Sequence, residues 1–178
     1  MKYDPNKHHR RSIRLWGYDY SQSGAYFITL CTHERRCLFG EIINGQMRLN
    51  ELGLIVHDEW FHSAKIRGEI ELLNDEFVIM PNHIHGIVRI LDNNVWATGR
   101  SPLQQPRGPL KKSISSFVAG FKSATTKRIN KYQNTPGNPV WQRNYYEHVI
   151  RNEKELHDIR AYIFNNPENW ETDENYKI

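Results

Sequence analysis

Two hydrophobic periodicities alternate along the chain, one typical of β-strands and one typical of amphipathic helices. Three segments dense in aromatic and β-branched residues predict strands: Ala25 to Thr32, Leu72 to Met80 and Asn82 to Leu91. A fourth, Val140 to Ile150, predicts a strand or an extended segment. A separate small hairpin is predicted from Gly40 to Asn50, because an Asn-Gly pair, a preferred two-residue turn, lies between its two apolar halves.

The helical periodicity predicts three helices, at Asn50 to Lys65, Leu110 to Ile129 and Asn152 to Asn165. Asn50 and Asn152 can cap the first and the last of them. The middle helix carries basic side chains opposite its apolar face. Helices interspersed with hairpin-like pairs of strands predict an α+β fold in which helices pack on an antiparallel sheet.

The length of 178 residues predicts a single domain over residues 1–178. Residues 1–22 are basic and lack periodicity, which predicts an N-terminal arm, and the polar residues 92–109 predict a flexible loop. No apolar run is long enough to span a bilayer or to form a signal peptide, so we expect a cytoplasmic protein. Its two cysteines are too few for a disulfide framework.

Positive charge is concentrated in one part of the chain, although the formal net charge is only +4. Residues 93–146 contain no Asp or Glu. The same stretch contains these basic residues: Arg100, Arg107, Lys111, Lys112, Lys122, Lys127, Arg128, Lys131 and Arg143. This asymmetry favours a polyanionic partner, and a solvated charged face is the alternative.

Two histidines stand two positions apart in a predicted strand. His83 and His85 therefore point to the same side, where two imidazoles can reach one metal ion. Two ligands do not complete a site, and two neighbouring histidines without a metal are the alternative. Ile87 occupies the position where a His-x-His-x-Asp hydrolase motif would need an acidic residue.

The last predicted helix offers a second pair of functional groups. Tyr162 and Asn166 lie four residues apart and hence on one face, so a hydroxyl and an amide oxygen can approach the same ion. Alternatively, Tyr162 extends the apolar stripe of Ile163. Pro167 is expected to bias Asn166 away from helical dihedral angles.

Several motifs resemble those of a known family. Met80-Pro81-Asn82-His83-Ile84-His85 resembles the HUH motif of single-tyrosine transposases. Tyr18 to Thr29, Trp141 to Arg151 and Ala161 to Pro167 are similar to segments of the REP-associated tyrosine transposases, so the resemblance covers nearly the whole chain.

The resemblance implies a ferredoxin-like or RRM-like antiparallel sheet with helices packed on one face. It also implies that Tyr162 is the nucleophile, and that DNA is cleaved and rejoined through a 5′-phosphotyrosine intermediate. His83, His85 and Asn166 would hold a divalent metal, Mg or Mn, with His148 as the runner-up for the third position. The remaining alternatives are a nucleic-acid-binding protein without cleavage and an HUH nickase like those that initiate replication.

The implied partner is single-stranded or hairpin DNA in a bacterial cytoplasm, and the protein acts as a homodimer or as a monomer. Basic side chains would contact phosphates, and exposed aromatic rings would stack on unpaired bases. The predicted DNA-binding residues are Arg10, Arg11, Arg14, Lys111, Lys112, Lys122, Lys127, Arg128, Arg143, Tyr145 and Tyr146.

Overall fold

The computed structural model describes residues 18–91 and 112–176. The strands in these ranges are β1 (Gly24–Cys31), β2 (Gly40–Ile43), β3 (Gln46–Leu49), β4 (Ile70–Glu71), β5 (Phe77–Met80), β6 (His83–Ile90) and β7 (Tyr146–Ile150). The α-helices are α1 (Glu51–Ile66), α2 (Ile114–Gln133) and α3 (Glu153–Asn165). Short 3-10 helices lie at His33–Arg35, Asn74–Glu76 and Trp170–Thr172.

The main sheet has five antiparallel strands, in the order β4-β6-β1-β7, with β5 also paired to β6. The hairpin of β2 and β3 forms a separate two-stranded sheet, and its turn places Asn44 and Gly45 at positive φ, as the Asn-Gly pair predicts. The predicted strand Leu72 to Met80 is wrong in its first half. Asn74–Glu76 forms a 3-10 turn there, and this turn buries the Glu76 carboxylate.

The helices divide between the two faces of the sheet. The side chains of Tyr26, Ile28 and Leu30 belong to the large core that also contains buried residues of α1 and α2. Phe27 points the other way and packs with α3 residues in a smaller cluster. The predicted α+β fold class is confirmed, but the expectation that the helices pack on one face of the sheet is wrong. α3 lies on the face opposite α1 and α2, because successive residues of β1 are apolar on both sides.

A polar side chain caps the N-terminus of each α-helix. Asn50 accepts hydrogen bonds from two backbone N–H groups of α1, and Asn152 accepts one from Glu155 of α3, as predicted. α2 begins at Ile114, with Ser113 as its cap. No helix in the described ranges is long and apolar enough to cross a membrane.

Some predictions fall outside these ranges. The loop at 92–109, most of the arm at 1–22, and Arg10, Arg11, Arg14 and Lys111 lie outside the described residues. The assignment of residues 1–178 to one domain therefore stays a prediction.

Candidate active site

The two histidines of β6 lie side by side beneath the surface. His83 is 0% exposed and His85 is 2% exposed. Their Nε2 atoms are 2.9 Å apart, as expected for side chains on the same side of a strand. On the opposite side of the strand, Gly86 lies two residues from Ile84 and leaves room for the Trp60 indole, because an added Cβ at Gly86 would lie 2.5 Å from that ring. The strand is thus packed firmly from the opposite face.

Asn82 fixes the tautomer of His83. The Asn82 Nδ2 group donates to the carbonyl oxygens of Asn175, at 2.8 Å, and Arg35, at 3.3 Å. Its Oδ1 atom therefore faces His83 Nδ1, 2.8 Å away, and accepts a hydrogen bond from it. This assignment follows from the hydrogen-bond network. It leaves the lone pair of His83 on Nε2, the atom that faces His85.

Thr29 holds the second imidazole in place. Its Oγ1 atom lies 2.8 Å from His85 Nδ1. If the hydroxyl accepts from Nδ1–H, both Nε2 atoms carry lone pairs, and these would repel each other at 2.9 Å unless a cation neutralised them. If the hydroxyl donates instead, His85 Nε2–H donates to His83. The first arrangement suits a metal site, because the outer nitrogen of each imidazole has an oxygen partner.

Asp173 supplies a carboxylate beside the histidine pair. One oxygen of Asp173 and one ring nitrogen of each histidine lie within 4.8 Å of one another. The backbone N–H of Asn175 donates to Asp173 Oδ1 at 2.6 Å, which fixes the carboxylate. Asp173 was not among the predicted site residues, because it follows the last helix with no spacing relation to the histidines. Its position in an acidic C-terminal run was the only signal.

Asn166 lies next to Asp173. Its Nδ2 group donates to Asp173 Oδ2 at 3.2 Å, and the side chain is only 2% exposed. Its Oδ1 atom is buried and has no hydrogen-bond partner among the described residues. A buried acceptor without a partner is costly, so a cation would stabilise it. The oxygen and nitrogen donors thus fit a divalent metal, and the predicted role of Asn166 as a ligand stays a prediction.

Two further predictions concern His148 as a possible third ligand and the backbone conformation of Asn166. His148 Nε2 donates to Glu155 Oε1 at 2.6 Å, and the metal-capable group found in the described residues does not include it. The expected departure of Asn166 from helical dihedral angles is wrong, since its φ and ψ are −59° and −41°. Its backbone stays helical where its side chain is buried against Asp173.

Tyr162 is the tyrosine that approaches the histidine pair. Its hydroxyl oxygen lies 3.2 Å from His85 Nε2, and the two ring centroids are 5.1 Å apart. The side chain is 43% exposed, whereas the neighbouring Ile163 is 2% exposed and packs into the small core. Burial, followed by the negative charge of Asp173, raises the pKa of Tyr162 to about 12. Tyr162 is thus a phenol at neutral pH, open to solvent on one side.

A buried carboxylate fixes the helix that carries Tyr162. Glu76 is 0% exposed and accepts hydrogen bonds from Arg160 of α3, at 2.9 Å, and from Arg89 of β6, at 3.0 Å. Leu156 and Ile163 dock the same helix on the sheet. Because Arg160 precedes Tyr162 by two residues, this ion pair and this apolar contact together set the height of the hydroxyl over β6.

The predicted DNA-binding residues fall into two groups. Lys122 donates to two backbone carbonyls, and Arg128 pairs with Glu59 at 2.8 Å, so both already have protein partners. Lys112, Lys127 and Arg143 are exposed. The role of all five residues in contacting phosphates stays a prediction.

Tyr145 and Tyr146, the two tyrosines predicted to bind DNA, differ in their exposure to solvent. The Tyr145 hydroxyl donates to Glu147 at 2.8 Å. Tyr146 is 46% exposed, and its ring stands edge-on to Phe27, with 6.2 Å between the centroids. Only Tyr146 of this pair presents much of its ring to solvent.

Acid should destabilise the fold through the buried histidines. Burial lowers the pKa of His83 to about 4 and also lowers the pKa of His85. Between about pH 6.5 and pH 4 the unfolded chain therefore binds protons that the folded chain excludes, and stability falls as the pH falls. We expect a loss on the order of 3 kcal/mol from His83, measured by urea unfolding with a chelator present.

His83→Gln should reduce this pH dependence, because it removes one of the two titrating groups. His62→Gln is the matched control, since His62 is exposed on α1. An equal pH dependence in the His83→Gln variant and the unmodified protein would contradict the assignment.

Comparison with known proteins places this chain in a family. An uncharacterized protein of Haemophilus influenzae is 46% identical over 180 residues, covering 98% of this chain and 97% of its own length. No family model matches the chain. The solved structure of a REP-associated tyrosine transposase bound to a REP hairpin is similar, with a TM-score of 0.55 and 21% identity, covering 87% of this chain and 73% of that one. The chain belongs to the family of the Haemophilus influenzae protein, and its fold is that of a REP-associated tyrosine transposase.

Proposed function

We propose that the protein is a metal-dependent transposase that cleaves and rejoins single-stranded DNA, with Tyr162 as its nucleophile. The observation that carries this proposal is the 3.2 Å contact between the Tyr162 hydroxyl and His85, beside the group formed by His83, His85 and Asp173. A half-exposed tyrosine hydroxyl next to a candidate metal site suits attack on a phosphodiester.

The chain's donor atoms suit a divalent cation such as Mg²⁺ or Mn²⁺. His83 and His85 would bind through Nε2, and the oxygen ligand would come from Asp173, Asn166 or both. Mixed imidazole and carboxylate donors favour Mn²⁺, because carboxylate oxygen alone is the preference of Mg²⁺. When bound, the cation would neutralise charge on the scissile phosphate and favour the Tyr162 phenolate.

Tyr162 would form a bond from its phenolic oxygen to phosphorus while the bond from phosphorus to the 3′ oxygen breaks. The phenolic proton leaves through the exposed side of the ring, and the departing oxygen becomes a 3′-hydroxyl. The product is a 5′-phosphotyrosine. Attack by another 3′-hydroxyl reverses the step and frees Tyr162, so strand transfer needs no external energy.

Hairpin or single-stranded DNA is the proposed substrate. The similar solved structure is a transposase bound to a REP hairpin. In this chain, Lys112, Lys127 and Arg143 are exposed basic residues within the stretch that lacks acidic residues. Such residues can contact the phosphates of single-stranded or hairpin DNA.

The polarity of the covalent product tests this proposal. A pool of DNA hairpins with randomised single-stranded flanks is labelled at either the 5′ or the 3′ end and incubated with the protein and Mn²⁺. We expect a denaturation-resistant adduct that retains the 3′ label, because the 5′-phosphate side stays on the protein. Fully paired duplexes of the same sequences are the control and should give little adduct.

Two outcomes would contradict the proposal. Retention of the 5′ label would mean the opposite polarity and a different mechanism. Tight hairpin binding without an adduct under any divalent metal would favour the non-cleaving binding protein.

A further inference from the structure

A cavity of about 440 Å³ is lined by Tyr162 and His85. β1 contributes its floor through Phe27, and the segment before and within β7 contributes a wall that includes Tyr146. Phe27 stacks on His85, with 5.5 Å between the centroids, and touches Tyr146 and Tyr162 edge-on. The cavity is therefore continuous with the candidate active site and has aromatic rings on several sides.

The lining suits a flat, uncharged ligand. Charged groups at the cavity are few, since Arg35 and Glu174, of opposite charge, are the Arg and Glu residues of its lining. The Glu174 backbone oxygen also accepts a hydrogen bond from the Arg35 guanidinium at 2.8 Å. The polar lining also includes the amide side chains of Gln142 and Asn144. Aromatic faces stack on nucleobases, and amide groups hydrogen-bond to base edges. A phosphate would instead require an excess of positive charge.

The wall of the cavity is held rigidly by the chain itself. Lys122 Nζ donates to the carbonyl oxygens of Gln142, at 2.8 Å, and Asn144, at 3.0 Å. The backbone N–H of Gln142 donates to the Cys31 carbonyl at 2.9 Å, which joins the wall to β1. Lys122 thus shapes the wall, and a ligand would meet a surface that needs little ordering on binding.

We propose that this cavity binds one unpaired base of the nucleotide that adjoins the scissile phosphate, stacked on Tyr146. The proposal rests on the function proposed above and specifies which part of the DNA the site holds. Tyr146 is 46% exposed and lines the cavity, whereas Tyr145 is engaged by Glu147. Tyr146 therefore positions the substrate and Tyr162 reacts with it.

A double-mutant cycle between protein and DNA tests the contact. After the cleavage position in a hairpin is mapped, an abasic site is placed at each of the two adjoining nucleotides in turn. Tyr146→Ala should slow adduct formation about tenfold on intact DNA, and Tyr146→Phe should stay within about twofold, because stacking needs the ring and not the hydroxyl. At one of the two positions, the abasic site should slow adduct formation by the unmodified protein about as much as Tyr146→Ala does on intact DNA. On that abasic DNA, the unmodified protein and Tyr146→Ala should then react at the same rate.

An equilibrium measurement keeps the test independent of cleavage. In a Tyr162→Phe background, 2-aminopurine is placed in turn at each unpaired position of the hairpin, so that no mapped cleavage position is needed. One position should be quenched on binding, and Tyr146→Ala should remove that quenching. Tyr132→Ala, which removes a 60% exposed tyrosine of α2, is the matched control and should change neither readout. Unchanged quenching in Tyr146→Ala, or additive losses in the cycle, would overturn the base-binding proposal while leaving the proposed function intact. Absence of any adduct with quenching retained would overturn the proposed function alone.

Discussion

Replacing Tyr162 with Phe is expected to lower the rate of DNA cleavage by at least about a thousandfold and to eliminate the covalent adduct. The substitution removes only the hydroxyl that lies 3.2 Å from His85 Nε2. The ring remains and keeps its edge-on contact with Phe27, so α3 should stay docked. We expect Mn²⁺ binding and hairpin binding to change by less than about threefold, which isothermal titration and filter binding can measure.

Two tyrosines of the same region provide matched controls. Tyr145→Phe removes the hydroxyl that donates to Glu147, and Tyr146→Phe removes a hydroxyl from a half-exposed ring. Both variants should still form the adduct. If Tyr162→Phe forms the adduct at the rate of the unmodified protein, Tyr162 is not the nucleophile.

Replacing either His83 or His85 with Gln should weaken Mn²⁺ binding at least about a hundredfold and abolish cleavage. Each substitution removes a ring nitrogen from the pair whose Nε2 atoms are 2.9 Å apart. Hairpin binding should persist, because the exposed basic residues that would contact phosphates lie on other elements. Titration of Mn²⁺ followed by electron paramagnetic resonance measures the affinity directly.

Mn²⁺ affinities of variants at three nearby residues should identify the oxygen donor of the proposed metal site. His148→Gln is the control and should leave Mn²⁺ affinity unchanged, because His148 pairs with Glu155. Asp173→Asn and Asn166→Ala test the two oxygen donors, and the larger loss identifies the ligand. Unchanged Mn²⁺ affinity in both histidine variants would contradict the metal site.

The histidine geometry was predictable because it depends only on local backbone structure. In a strand, residues two positions apart face the same side, so His83 and His85 converge wherever the strand lies. The caps Asn50 and Asn152 were predictable for the same reason, since a helix cap contacts residues two or three positions away.

Contacts between distant segments were not predictable from these patterns. Asp173 reaches the histidines only after a 3-10 turn folds the chain back over the sheet, and no periodicity connects residues that far apart. Glu76 lies in a segment whose pattern predicts a strand. Its carboxylate is buried because Arg89 and Arg160, from two other elements, donate hydrogen bonds to it.

Counting positive charge along the sequence also ignores contacts between distant segments. Lys122 and Arg128 contribute to the basic stretch, yet the fold gives both of them intramolecular partners. The apolar residues of β1 on both faces were a signal that helices cover both sides of the sheet. That pattern, unlike the ion pairs, was present in the sequence.

The most direct test of the central claim is the chemical identity of the residue that carries DNA. The protein is incubated with a hairpin and Mn²⁺, digested with nuclease and trypsin, and the peptides are sequenced by tandem mass spectrometry. The peptide that begins at Ala161 contains Tyr162 and Tyr176, and fragmentation distinguishes them. We predict a nucleotide joined through its 5′-phosphate to Tyr162. A nucleotide on Tyr145, Tyr146 or Tyr176, or a linkage through a 3′-phosphate, would contradict the account.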